Sequence, residues 1–155
     1  MPSIMPAMRA KFGSTEYYVV TMPAGELVDK LKIPKEIEGW EDLTIEERFQ
    51  RDINYARVKK HIAPYLAHDD DRFFGAFIVD VMNGDDMEFE PLGAMAKSVP
   101  KLYQNASENF GFLNLTGTEV LVPLDGQHRL ASLKFAITGK DEKGKDISGL
   151  DGNTD

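Results

Sequence analysis

Hydrophobic positions along the first half of the chain change period several times, and each change marks an element. Tyr17 to Met22 (YYVVTM) is a run of aromatic and β-branched residues closed by Pro23, the composition of a buried strand. From Ala24 to Leu31 the spacing becomes helical, with Leu27, Val28 and Leu31 on one face. Lys35 to Asp42 is polar and turn-rich around Trp40. Thr44 and Glu47 then stand in capping-box register, with Ile45 and Phe49 on one side of the helix they open. Asn54 is a suitable N-cap for a further helix carrying Val58, Ile62, Tyr65 and Leu66 on one face, and Pro64 should kink or shorten it.

In the second half, Phe73 to Met82 (FFGAFIVDVM) is almost continuously apolar, which predicts a strand covered on both faces. Asn83-Gly84 is a turn signal, and Glu88 to Leu92 reads as the returning strand of a hairpin. Pro100 to Asn105 fits a helical turn. Leu113 to Leu115 and Glu119 to Leu124 have strand character. After them Leu130, Leu133 and Ile137 restore the helical period, with Gly139 as a natural stop. The stretch from Asp125 to Arg129 therefore joins a strand to a helix through a tight glycine turn. Beyond it, residues 139–155 are polar with four glycines, the composition of a flexible tail or of a linker to a further C-terminal region.

Composition narrows the function classes. A chain of 155 residues, 42% of them hydrophobic, is sized for one domain and buries roughly 70% of its unfolded surface without covalent staples. With no cysteine, it has no thiol nucleophile, zinc ribbon or disulfide framework. The net charge of -8 disfavours a simple counterion-release binder of DNA. Residues 1–68 hold ten acidic and ten basic side chains, so the whole deficit falls after His68. Much of it lies in the run from Asp69 to Glu90, which reads as a solvated face; its spacing matches no EF-hand, and no metal site is assigned. Asp151, Asn153 and Asp155 resemble the opening of a calcium loop but lack its closing Glu. The first ten residues do not read as a secretory signal, and no apolar run is long enough to cross a membrane, so a cytoplasmic location is expected.

The strand–turn–helix carries the candidate chemistry. The start of a helix offers unpaired N–H groups and a partial positive charge, a ready site for phosphate. Gly126 allows close backbone approach, Arg129 can fork onto phosphate oxygens, and Gln127 and His128 can donate hydrogen bonds. Asp125 beside phosphates needs a divalent metal, an arginine or the helix cap to hold it. Taken singly, Asp125 is most simply an N-cap, His128 a surface residue and Arg129 a partner for the acidic surface. Spacing by itself supports an anion-binding turn.

The string DGQHRLAS, between a hydrophobic strand and a helix, resembles the signature of the DGQHR-domain proteins, whose best-known members are the DndB proteins of bacterial DNA phosphorothioation systems. In context it is also similar to the GERR turn of the ParB family and the phosphate turn of sulfiredoxin. The YYVVTMPAGEL segment and the QRDIN…YL stretch are DndB-like, so the resemblance spans about residues 13 to 138. It implies an α+β fold of the ParB/sulfiredoxin type, a small mixed sheet flanked by helices over residues 1–138. It further implies a nucleotide or phosphate site at the turn, with Gly126, His128 and Arg129 matching the family's phosphate-turn positions and Asp125 and Gln127 replacing other residues there. Gln127 is counted among the phosphate-binding residues, and Arg51 is either brought near by the fold or engaged in a surface ion pair with Asp52 or Glu47. Sulfiredoxin's reductase chemistry does not transfer to a cysteine-free chain.

Three functions follow as expectations. The first is a nucleotide-binding component of a DNA modification or phage-defence system, with or without NTP hydrolysis, taking ATP or CTP with Mg²⁺; where it hydrolyses, Asp125 or His128 orients water. The second is a non-catalytic transcriptional repressor whose DNA surface draws on Lys30, Lys32, Lys35, Arg57, Lys59 and Lys60, or on a further region. The third is a ParB-like nuclease. Other defence or modification proteins are expected as partners.

Overall fold

A computed structural model describes residues 2–33, 36, 53–73 and 75–150. The predicted capping-box helix from Thr44 and the segment around Trp40 lie outside the described residues. In chain order the elements are β1 (Ser3–Phe12), β2 (Thr15–Val20), α1 (Ala24–Lys30), α2 (Tyr55–Arg57), a π-helical turn (Val58–Ile62), α3 (Ala63–His68), β3 (Ile78–Met82), β4 (Glu88–Pro91), α4 (Leu92–Met95), a 3-10 turn (Lys101–Tyr103), α5 (Gln104–Asn109), β5 (Phe110–Leu115), β6 (Val120–Asp125) and α6 (Gln127–Thr138). The fold is α+β. Its elements separate into two compact units, residues 1–23 with 83–119 and residues 24–82 with 120–155.

The first unit is a four-stranded antiparallel sheet in the order β2-β1-β5-β4. Alternation along β1 and β5 sets its two faces. Met5, Ala7, Leu113 and Leu115 are buried on one, where Arg9 also lies over the Phe89 ring and donates to the Glu108 carbonyl at the end of α5. β4 can run beside β5 because residue 111 is glycine: a Cβ there would come within 2.0 Å of the Glu90 carbonyl oxygen. The strand expected over Tyr17 to Met22 forms over Thr15–Val20, but it is an edge strand, with Tyr17 and Val19 exposed. Apolar composition alone does not separate an edge strand with one open face from a central one.

The second unit is built on α6. Leu130, Ala131, Ser132, Leu133, Phe135 and Ala136 are all buried, and the Ser132 hydroxyl donates to the His128 carbonyl one turn back. β6 pairs antiparallel with β3, with a bulge between Ile78 and Val79, and Leu31 just after α1 makes a parallel bridge to Leu121. Two strand expectations are corrected. β3 is not covered on both faces, since Ile78 is 60% exposed and Asp80 also faces out. Nor do β3 and β4 form a hairpin: Asn83, with φ of 56°, turns the chain, but β3 then pairs with β6 and β4 with β5.

The helix expected from Asn54 is present. Its Oδ1 accepts from the Arg57 N–H at 3.0 Å. The Ala63 N–H bonds to the Val58 carbonyl five residues back, so the ladder widens to a π turn immediately before Pro64, which has no N–H to give. Val58 and Ala63 pack with Ala131, Phe135 and Leu150 in one cluster, and the Tyr55 and Phe135 rings stack at 6.1 Å. Residues 139–150, expected as the start of a loose tail, fold back. Gly139, in the left-handed region, closes α6; Ile147 donates to its carbonyl, and Leu150 enters the core cluster. The two large apolar residues of this polar stretch are the ones that anchor it.

Candidate anion-binding turn

The site is assembled within the second unit from β6, the first turn of α6, the segment before β3, and the N-cap of α2. β6 runs to Asp125, and Gly126 follows with φ 99° and ψ 16°, a conformation costly for any residue with a Cβ. Gly126 is the N-cap, and no side chain bonds to the helix start. Asp125 is therefore not the cap that its position after a strand suggests. The first bond inside the helix runs from Leu130 N–H to the Gly126 carbonyl at 2.8 Å. The N–H groups of Gln127, His128 and Arg129 have no partner among the described residues. Gly126 and Gln127 are buried, while His128 and Arg129 are half-buried.

Arg129 and Asp125 meet across this turn, Nη2 to Oδ2 at 3.3 Å, on adjacent turns of the chain. The Asp125 side chain is 70% exposed and that of Arg129 30%, so the pair contributes at most about 1 kcal/mol and holds the guanidinium in place more than it stabilises the fold. The guanidinium also lies 5.4 Å from the centre of the Phe77 ring. Two glycines make room for it. A Cβ on Gly75 would stand 2.6 Å from Arg129 Nη1, and one on Gly126 would stand 2.7 Å from Phe77 Cδ1 and 3.1 Å from Arg129 Nη2.

His128 is half-buried, and its Nε2 accepts the Asn54 backbone N–H at 3.0 Å. That bond requires the lone pair on Nε2, which places the ring proton on Nδ1 and leaves the ring with a donor but no free acceptor. Asn54 thus caps α2 with its side chain and fixes His128 with its backbone. Gln127 is 6% exposed, and its Oε1 has no hydrogen-bond partner among the described residues. The structure brings Asp125, Gly126, Gln127, His128 and Arg129 together; Arg51 lies outside the described residues. Sequence reasoning missed Gly75, Phe77 and Asn54 as parts of the site. The signal for the first two was present in the FFGAF string, a lone glycine among aromatics at the start of a strand.

The basic residues suggested as a DNA surface are partly committed elsewhere. Lys59 pairs with Asp141 and Glu142 at 3.0 Å each, and Lys30 lies 3.8 Å from Glu26. Among the described residues no three His, Asp or Glu side chains gather as a metal-binding group. No helix among them is long and apolar enough to cross a membrane.

The chain is an α+β protein that carries the sequence DGQHR across a strand end, a left-handed glycine and the start of a helix. Residues 5–148 match the DndB family, described as DNA-sulfur modification-associated, and the chain belongs to that family. Neither the curated proteins nor the solved structures gave a match. The family places the chain among components of DNA sulfur modification systems.

Proposed function

We propose that the DGQHR turn binds the phosphates of a nucleotide and that this is the chain's contribution to DNA sulfur modification. The observation that carries the reading is the start of α6: three successive N–H groups without a partner among the described residues, behind a buried left-handed glycine, with a guanidinium alongside. The first N–H groups of a helix have no partner within it, and an anion at a helix N-terminus satisfies several at once. Arg129 already sits at the turn and needs only to exchange Asp125 for phosphate oxygens. ATP and CTP are the nucleotides to test.

Mg²⁺ fits this site in the way it commonly accompanies nucleotides, held by phosphate oxygens, water and one carboxylate, here Asp125. It would neutralise charge between the phosphates and that carboxylate. Asp125 then has two roles in sequence, holding Arg129 in the free protein and facing the metal in the complex. His128, with Nε2 engaged by Asn54, is a fixed hydrogen-bond donor in this reading, and hydrolysis would require that bond to open. The reading rests on binding and does not need hydrolysis.

Calorimetric titration with ATP and with CTP, each with and without Mg²⁺, tests it. Binding by the native chain that falls about 10- to 100-fold in Arg129→Ala is expected, the effect of losing charge-assisted hydrogen bonds. Absence of binding to either nucleotide overturns it.

A further inference from the structure

We infer that the open face of the four-stranded sheet is a self-association surface that takes a second copy of this chain. The registers place its side chains in rows: Ile4 beside Asn114 and Glu88, Pro6 beside Phe112 and Glu90, Met8 between Val19 and Phe110, Ala10 beside Tyr17, and Phe12 beside Thr15. Seven of these are large hydrophobics left exposed, from Phe112 at 38% to Phe12 at 83%. They lie together on one face of adjacent strands, while the alternate residues Met5, Ala7, Leu113 and Leu115 are buried on the other.

The size of the patch selects the occupant. With about 150–250 Å² on each aromatic side chain, the seven residues expose on the order of 700 Å². The largest apolar patch on a typical monomer is roughly 300–600 Å², and each side of a stable protein interface covers about 800 Å². One copy of this face therefore supplies nearly one full side of a standard interface, and a two-fold axis supplies the other side from the same residues. Charge then chooses between the two ways of stacking the faces. The carboxylates of the face, Glu88 and Glu90, are confined to the edge strand β4, whereas the opposite edge, β2, offers Tyr17 and Val19. A two-fold axis parallel to the strands sets β1 over the partner's β5 and β4 over the partner's β2, keeping the carboxylates of the two copies apart at opposite rims. An axis across the strands would set four carboxylates against one another. Aligned stacking of two sheets about 10 Å apart is an ordinary packing mode.

The test is sedimentation velocity on the full chain across a concentration series, for the native sequence and for Ile4→Lys/Phe112→Lys. Both positions are exposed, so the variant should keep the native circular dichroism and thermal midpoint. The native chain is expected to be dimeric and the variant to dissociate roughly 100-fold more readily, the effect of removing central contacts from an interface. Because the contact is apolar, added sodium sulfate should tighten the native dimer. A native chain that stays monomeric overturns the inference, as does a dimer that the two lysines leave intact or that salt dissociates. Should the double variant misfold, the single substitution Met8→Lys gives the same two outcomes. The inference is independent of nucleotide binding at the DGQHR turn.

Discussion

Two glycines leave room for the same guanidinium, and their substitution should have opposite profiles. Alanine at Gly126 meets both a positive φ and the fixed edge of the Phe77 ring, so Gly126→Ala is expected to cost about 1–3 kcal/mol, read as a lowered thermal midpoint. At Gly75 the obstacle is only the far end of Arg129, which can swing away. Gly75→Ala should leave stability within about 0.5 kcal/mol of native yet weaken nucleotide binding, because the guanidinium loses its place. A variant that binds as the native chain does would show that Arg129's position is immaterial. Asp125→Asn separates the two roles of its carboxylate: without Mg²⁺ it should tighten nucleotide binding by removing a competitor for Arg129, and with Mg²⁺ it should weaken it. If the substitution changes neither titration, Asp125 plays no part. His128→Ala removes the acceptor of the Asn54 N–H, worth about 1 kcal/mol, and should speed hydrogen exchange at that amide.

At the scale of elements, the closing segment after α6 carries a pH dependence. The Asp141 carboxylate accepts the Lys145 and Lys143 N–H groups and pairs with Lys59, and these bonds, against some loss of hydration, hold its pKa down at about 2 instead of 3.8. A carboxyl whose folded value lies below its unfolded one stabilises the fold above the unfolded value and loses that contribution as pH falls toward the folded one. Between about pH 4 and pH 2, therefore, the hold of Asp141 on Lys59 and on the Lys143 and Lys145 N–H groups should weaken, loosening the segment that closes α6. The protection of the Lys143 and Lys145 amides against exchange, relative to their intrinsic rates at each pH, is expected to fall across that window in the native chain and to depend less on pH in Asp141→Asn. Equal dependence in both would contradict the assignment.

The elements also show what was legible in the sequence. α6, its glycine stop, the Asn54 cap and the strand before Asp125 follow from local chemistry, which the sequence carries in full. β1 was not foreseen, because Ser3 to Phe12 alternates large residues with Pro6, Arg9 and Lys11 and shows a buried stripe only once β5 is beside it. The hairpin expected from Asn83-Gly84 failed for a related reason. Its turn is real, but which strands pair is decided by partners distant in sequence. The five residues of the candidate turn were legible because they are contiguous. Phe77, Gly75 and Asn54 were not, since only the fold brings them to Arg129 and His128.

For the whole molecule, the charge asymmetry of the linear sequence does not survive folding. Counted by halves, all of the excess acid follows His68; counted by units, the first holds seven acidic and four basic residues and the second nineteen and fourteen. Both units are net negative, and the anion-binding feature sits in the one with the larger excess. Such a turn works through local N–H groups and a single arginine, so it tolerates a negative surround that would repel an extended DNA backbone. The most direct measurement of that claim is the amide ¹H–¹⁵N spectrum of the labelled chain during addition of ATP and of CTP with Mg²⁺. Saturable shifts centred on Gly126, Gln127, His128 and Arg129, lost in Arg129→Ala, are the predicted result. Shifts confined to other residues, or none, would contradict a phosphate site at the DGQHR turn.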